Sequence, residues 1–139
     1  MKRVVVDTGV IYAMADSGDN WHKRVMDCFD SGEALRLVLP ATVIPEACYL
    51  LNSNLGVEAE QAFIKSIAAG EFLLENVTLD DLKKSSALLK KYADINIGLV
   101  DATVAVIAER LGVNCILTTD RRHFSLLRKK DGKPFELLP

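Results

Sequence analysis

Short apolar runs, too brief for helices and separated by stretches of helical periodicity, constrain the fold of this chain more than any other feature. The runs "RVVVD" at 3–7, "LRLVLP" at 35–40, "FLLENV" at 72–77 and "NCILTT" at 114–119 read as buried strands, and "FELLP" at 135–139 as a weaker fifth. Between them the pattern predicts helices over 8–15, 20–29, 43–55, 58–69, 80–92 and 99–111. Strands alternating with helices imply an α/β fold, with a mostly parallel sheet covered on both faces.

The 139 residues suit a single domain spanning 1–139, with no repeat, low-complexity tract or linker. Glycines 32, 56, 70 and 112 follow helical segments, where a left-handed residue is commonly needed, and read as punctuation, not as phosphate loops. The start, "MKRVVVD", has only three apolar residues before Asp7, far short of the ~7–15 of a secretory signal. Pro40, Pro45, Glu46 and Asp101 interrupt the best candidates for a membrane span, so a cytoplasmic location is expected. Cys28, Cys48 and Cys115 are too few and too scattered for a disulfide framework or a zinc site and read as buried thiols. The net charge of −2 attracts no nucleic acid globally, but Arg121, Arg122, Arg128, Lys129, Lys130 and Lys133 face Asp131 alone, a local excess of five positive charges.

In parallel α/β sheets ligands bind beyond the carboxyl ends of the strands, and Asp7 and Asp120 stand at two such ends. A helix that precedes a parallel strand begins on the same rim, which brings Asp101, in the first turn of the 99–111 helix, to that edge. Glu46 belongs there too, early in the 43–55 helix, with Thr42 as the expected N-cap. Each acid also has a plainer role: a turn for Asp7, a helix dipole for Asp101 and Glu46, a cap for Asp120. As a set they are costly, because two carboxylates about 4 Å apart repel by ~4 kcal/mol at an effective dielectric near 20. Protonation or a divalent cation relieves such a cluster, and hard Mg²⁺ or Mn²⁺ leaves coordination sites for phosphate. Arg121 and Arg122 oppose the dipole of the helix they begin, and read either as phosphate contacts or as solvated surface arginines.

The segments "VVVDTGVIYAMAD", "VIPEACYLL", "YADINIGLVDATVAVIAERLG" and "ILTTDRRHF", in that order and spacing, resemble PIN-domain proteins, especially the small VapC-like toxin ribonucleases. The resemblance spans nearly the whole chain. It implies a three-layer α/β/α fold and Mg²⁺- or Mn²⁺-dependent hydrolysis of RNA leaving a 5′-phosphate and a 3′-hydroxyl. It further implies Asp7 and Asp101 as primary metal ligands, Glu46 as a water-mediated ligand or proton acceptor, and Asp120 as the completing ligand. Thr8 and Thr119, beside the first and last acids, are expected to orient a carboxylate or a metal-bound water, with helix start and strand end as their plainer readings. A homodimer and a VapB-like antitoxin that occludes the acids are the implied partners.

One departure stands out: where such sequences often carry an aspartate three positions after the last acid, this chain has His123. Asp94 either compensates or caps a loop. His22 reads as a structural hydrogen-bonding residue, and Trp21 as a packing residue with base stacking as its alternative. Among rivals, aspartyl-nucleophile phosphotransfer wants a second acid where Gly9 stands, and Ser or Cys hydrolysis lacks a nucleophile motif. The remaining alternative is a non-catalytic PIN fold that binds RNA or protein.

Overall fold

A computed structural model describes residues 1–139. Five strands, β1 (Lys2–Val6), β2 (Leu35–Pro40), β3 (Leu73–Glu75), β4 (Cys115–Leu117) and β5 (Glu136–Leu138), form one sheet in the order β3-β2-β1-β4-β5. Every pairing is parallel. The helices are α1 (Thr8–Ala15), α2 (His22–Phe29), α3 (Val43–Leu55), α4 (Val57–Ala68), α5 (Leu79–Lys91), α6 (Leu99–Arg110) and a one-turn α7 (Arg121–Phe124), with a 3-10 turn at Ala93–Ile95. Strand and helix order match the reading of the sequence. The differences lie at the ends: β3 and β4 are shorter than their apolar runs, and α2 starts at His22, because Trp21 closes the preceding turn.

Connections from β1 to β2 and from β2 to β3 step one way across the sheet, while the return from β3 to β4 and on to β5 steps the other way. Right-handed crossovers that travel in opposite directions cover opposite faces. Accordingly α1 to α4 pack among themselves on one face and α5 with α6 on the other. The direction reverses between β1 and β4, and the crevice at the carboxyl ends of these two strands is where α/β sheets take their ligands.

A core of 27 buried residues is centred on Val4, Val5 and Val6, Val38 and Leu39, and Ile116 and Leu117. The helix α6 is apolar on every side, with Ala102 to Ala108 all buried, as befits a helix sandwiched between sheet and α5. Phe63 and Phe72 meet edge to face, 5.9 Å apart, and pin the middle of α4 to the approach to β3. Thr78 and Asp81 form a reciprocal capping box at the start of α5.

Two expectations need correction. Thr42 precedes α3 but its hydroxyl does not cap it; Oγ1 is engaged instead with Thr103 Oγ1 on α6 at 2.6 Å. Of the three free cysteines, Cys48 and Cys115 are buried but Cys28 is only half-buried, since α2 lies on the rim of its layer with Val25 alone fully enclosed. The four glycines after helices all have positive φ. No helix is long and apolar enough to cross a membrane.

Candidate functional site

Asp7 is placed by the end of β1: its N–H donates to Leu117 O on β4 at 3.0 Å, and its backbone is extended as α1 begins. As the N-cap of α1 it makes no side-chain capping bond, so the carboxylate is not consumed by the helix. Asp7 is 5% exposed. Burial, then the charge of Asp101, with Glu46 adding to them, lift its pKa from 3.8 to about 7. Thr118 Oγ1 opposes this by donating to Asp7 Oδ2 at 3.0 Å.

The same Thr118 hydroxyl accepts from the Asp120 N–H at 2.9 Å. With its single proton given to Asp7 and a lone pair to Asp120, Thr118 has no rotational freedom and ties the first acid to the last. Asp120 caps α7, Oδ1 accepting from His123 N–H at 3.0 Å, while Oδ2 lies 2.9 Å from His123 Nδ1. The capping and rim readings of Asp120 therefore hold together.

Asp101 sits in the first turn of α6 with its side chain 21% exposed, and its Oδ2 lies 3.9 Å from His123 Nδ1. Burial, then the charge of Asp120, raise its pKa. Glu46 occupies the first turn of α3 and is exposed. Its charge adds the smallest of the upward pushes on the pKa values of Asp7 and Asp101, and neither Glu46 nor Asp7 belongs to the close cluster of donor atoms. Asp101, Asp120 and His123 each bring one donor atom within 4.8 Å of the others. At that separation two carboxylates repel by roughly 3–4 kcal/mol for an effective dielectric near 20. No lysine or arginine forms an ion pair with Asp7, Glu46, Asp101 or Asp120.

The sequence model of the PIN domain matches residues 4–130. The chain belongs to the PIN-domain family. It is 36% identical over 136 residues to ribonuclease VapC26 of Mycobacterium tuberculosis, covering 98% of this chain and 100% of that protein. Among solved structures, M. tuberculosis VapC20, described as a sarcin-ricin loop cleaving toxin, superposes with a TM-score of 0.74 at 22% identity, covering 81% of this chain and 86% of that one. VapBC2 from Rickettsia felis, bound to a DNA fragment from its promoter, gives a TM-score of 0.65 at 12% identity over 97% of this chain and 96% of that one. Both likenesses speak for the fold, a three-layer α/β/α PIN architecture.

Within this PIN fold, oxygen donors and one imidazole nitrogen converge, a set whose chemistry fits a divalent cation of the Mg²⁺ or Mn²⁺ type. A second observation agrees: Thr8 Oγ1, one residue from Asp7, is buried without a hydrogen-bond partner. Thr119, expected to orient a carboxylate, is half-buried and packs on α1, so close to Gly9 that a Cβ there would collide with its Oγ1. The hydroxyl that donates to the Asp7 carboxylate is that of Thr118, one position before Thr119 and not singled out by the sequence. Arg121 is only partly free for a phosphate: Nη2 donates to Leu137 O at 3.4 Å and to the backbone oxygen of Pro139. Arg122 is exposed beside it.

Asp94 lies exposed in the 3-10 turn, outside the cluster of Asp101, Asp120 and His123. His22 Nδ1 meets Ala13 O at 2.7 Å and ties α2 to α1, the structural role expected of it. Trp21 packs against the core with the Arg24 guanidinium 3.8 Å above its ring.

Proposed function

We propose that this PIN-domain protein is a divalent-metal-dependent endoribonuclease and the toxin of a toxin–antitoxin pair, as the names of its relatives suggest. The observation that carries the reading is Asp7: a buried carboxylate with a pKa near 7, crowded by other acids and given no cation by the fold.

Asp7 and Asp101 would hold a Mg²⁺ or Mn²⁺ ion, with Asp120 and His123 completing the donor set. Such an ion, when bound, acidifies water and neutralises charge on a phosphodiester. The protein's own groups supply the rest. Thr118 fixes the Asp7 carboxylate, and its second bond holds Asp120 in register. Glu46, exposed and with no hydrogen-bond partner of its own, suits the role of proton acceptor from an attacking water. Arg122 and the free donors of Arg121 suit the non-bridging oxygens of the substrate. Attack of that water in line with the P–O3′ bond breaks that bond, the 3′-oxygen leaving to become a hydroxyl while the phosphate stays on the 5′-oxygen.

A VapB-like antitoxin is the proposed partner, and a homodimer the proposed assembly. Tyr49 (71% exposed), Val57 (66%) and Ile64 (49%) on α3 and α4 give a protein partner apolar surface to cover.

The test is cleavage of a mixed RNA pool by purified protein with Mn²⁺ or Mg²⁺, beside Asp101→Asn and a chelator control. Cleavage by the wild type, lost with chelator and reduced at least about a hundredfold in the variant, is the expected result. Equal cutting by wild type and variant, or no cutting by either while RNA still binds, contradicts it, the latter favouring a binding module.

A further inference from the structure

On the α5–α6 face a groove of about 750 Å³ opens between these two helices and the turn at residues 128–132. Its walls carry Lys84 and Lys91 from α5 and Arg128, Lys129 and Lys130 from the turn, and its floor carries Leu88 and Val106. Such a concentration of cations is out of keeping with a chain of net charge −2. Only one carboxylate, Glu109, lines the groove, and its Oε1 accepts the backbone N–H of Lys130 at 2.8 Å, anchoring the turn and not an ammonium group.

Ion pairs engage two of the groove's cations and leave the others without one. Arg110, at the groove's edge, is bound to Asp81 and Glu75, and Lys84 has Asp80 at 3.1 Å. Lys91 lies over the Tyr92 ring at 5.4 Å, the Lys129 ammonium meets only the neutral Asn114 amide, and the Arg128 guanidinium donates to the carbonyls of Ser125 and Leu127. Lys91, Arg128, Lys129 and Lys130 thus stand around the groove with no side-chain ion pair, beside the single acid Glu109. The turn that presents them is fixed: Arg128 N–H donates to Tyr92 Oη, Lys129 N–H to Lys133 O, and Gly132, at φ 82°, closes back on Lys129 O. Cations on a fixed backbone suit a chain of phosphates.

Continuity with the acids favours a nucleic acid over an acidic peptide. The helix α6 carries Asp101 in its first turn and lines the groove from Val106 onward, about 8 Å along its axis at 1.5 Å per residue. The 128–132 turn follows Asp120 by eight residues, through α7. We infer that the groove between α5, α6 and the 128–132 turn is a second RNA-backbone site, which binds the substrate away from the cleaved bond and favours RNAs long enough to engage both. This inference rests on the proposed ribonuclease reading.

The experiment compares wild type, Lys91→Gln/Lys130→Gln and the conservative Lys91→Arg/Lys130→Arg. Binding of a fluorescent mixed-sequence RNA long enough to span both sites is measured in EDTA across a salt series. Cleavage with Mn²⁺ is measured on that RNA and on a trinucleotide. The glutamine pair is expected to bind about tenfold more weakly, with a log K against log salt slope shallower by roughly 1.4, and the arginine pair to restore both. In cleavage, KM for the long RNA rises about tenfold with kcat unchanged, and the trinucleotide is cut as before. Unchanged affinity and slope in the glutamine pair overturn the proposal, as does a wild type that binds no RNA. Polyglutamate bound more tightly than RNA, and released by the same substitutions, assigns the groove to an acidic peptide and also overturns it. If the groove variants weaken binding but the wild type never cuts, the ribonuclease reading falls while the groove stands.

Discussion

Asp7 and Asp81 are the same side chain at nearly the same burial, 5% and 0% exposed, yet the fold treats them oppositely. For Asp81, burial is the largest single influence and pushes the pKa up. The Arg110 guanidinium, donating from Nε and Nη2 at 3.0 Å each, together with the Thr78 N–H, outweighs it and holds the carboxyl below its ordinary 3.8. For Asp7 burial is again the largest influence, but the neighbours are Asp101 and Glu46, and only the Thr118 hydroxyl and the Thr8 backbone oppose them. This small protein can therefore pair a buried carboxylate fully when it is structural. The unpaired state of the acid crevice is a property of that site, of the kind found where function demands strain.

Breaking the paired side of this contrast has the largest expected effect. Arg110→Ala leaves Asp81 buried without its cation and should cost about 3–5 kcal/mol, read as a fall in the urea midpoint. Activity per folded molecule on a trinucleotide should be retained, because Arg110 lies at the far end of α6 from Asp101.

Breaking the unpaired side should act the other way. Folded Asp7 keeps its proton up to about pH 7, whereas the unfolded chain releases it near 3.8. Between these values the native state binds more protons, so metal-free stability falls as pH rises through that window and levels off above 7. Asp81 works in the opposite sense: its contribution is present above the unfolded pKa and is lost as pH falls below it. Asp7→Asn should remove the decline toward neutral pH but not the acid limb, gaining on the order of 2–4 kcal/mol at pH 7.5 in chelator while abolishing cleavage. Thermal melts at stepped pH check this; a variant no more stable than wild type at pH 7.5 would sink the reading of Asp7 as uncompensated.

The smallest effect sharpens the contrast at the one group that eases Asp7. Thr118→Val removes a donor to Asp7 Oδ2 and an acceptor from the Asp120 N–H, and should cost about 1–3 kcal/mol. The pH-dependent decline should also shift upward, since the anion loses its only side-chain donor. Unchanged melts across pH would mean that the hydroxyl bridges nothing that matters.

The order of strands and helices was legible because each element announces itself locally through apolar runs, caps and glycines. The acids of the crevice were legible for the same reason: strand ends and helix starts are local features, and a parallel sheet assigns them all to one rim. What depended on distant partners was not. Thr118 and Thr119 could not be told apart because Cys115 to Thr118 are all buried, leaving no in-and-out alternation to say which hydroxyl faces the crevice. Arg121 looked free because its acceptors on and after β5 lie 16 and 18 residues ahead. The hydroxyl of Thr42 was taken by Thr103, 61 residues away. The cationic run after Asp120 was visible as charge, but the groove it lines needs Lys84 and Lys91 from α5 and so became apparent only in three dimensions.

The central claim is that the acid crevice is left unpaired for a divalent cation, and the most direct test is the melting temperature at pH 7.5 in chelator against a saturating series of Mn²⁺ or Mg²⁺. A cation at a hundred times its Kd stabilises by about 2.7 kcal/mol, which for a chain of this size is a rise of roughly 5–10 °C. The wild type should show that rise, with Asp7→Asn and Asp101→Asn already shifted in chelator and gaining little more. A wild type whose melting temperature is unmoved by either ion, or variants that gain as much as it does, would contradict the claim.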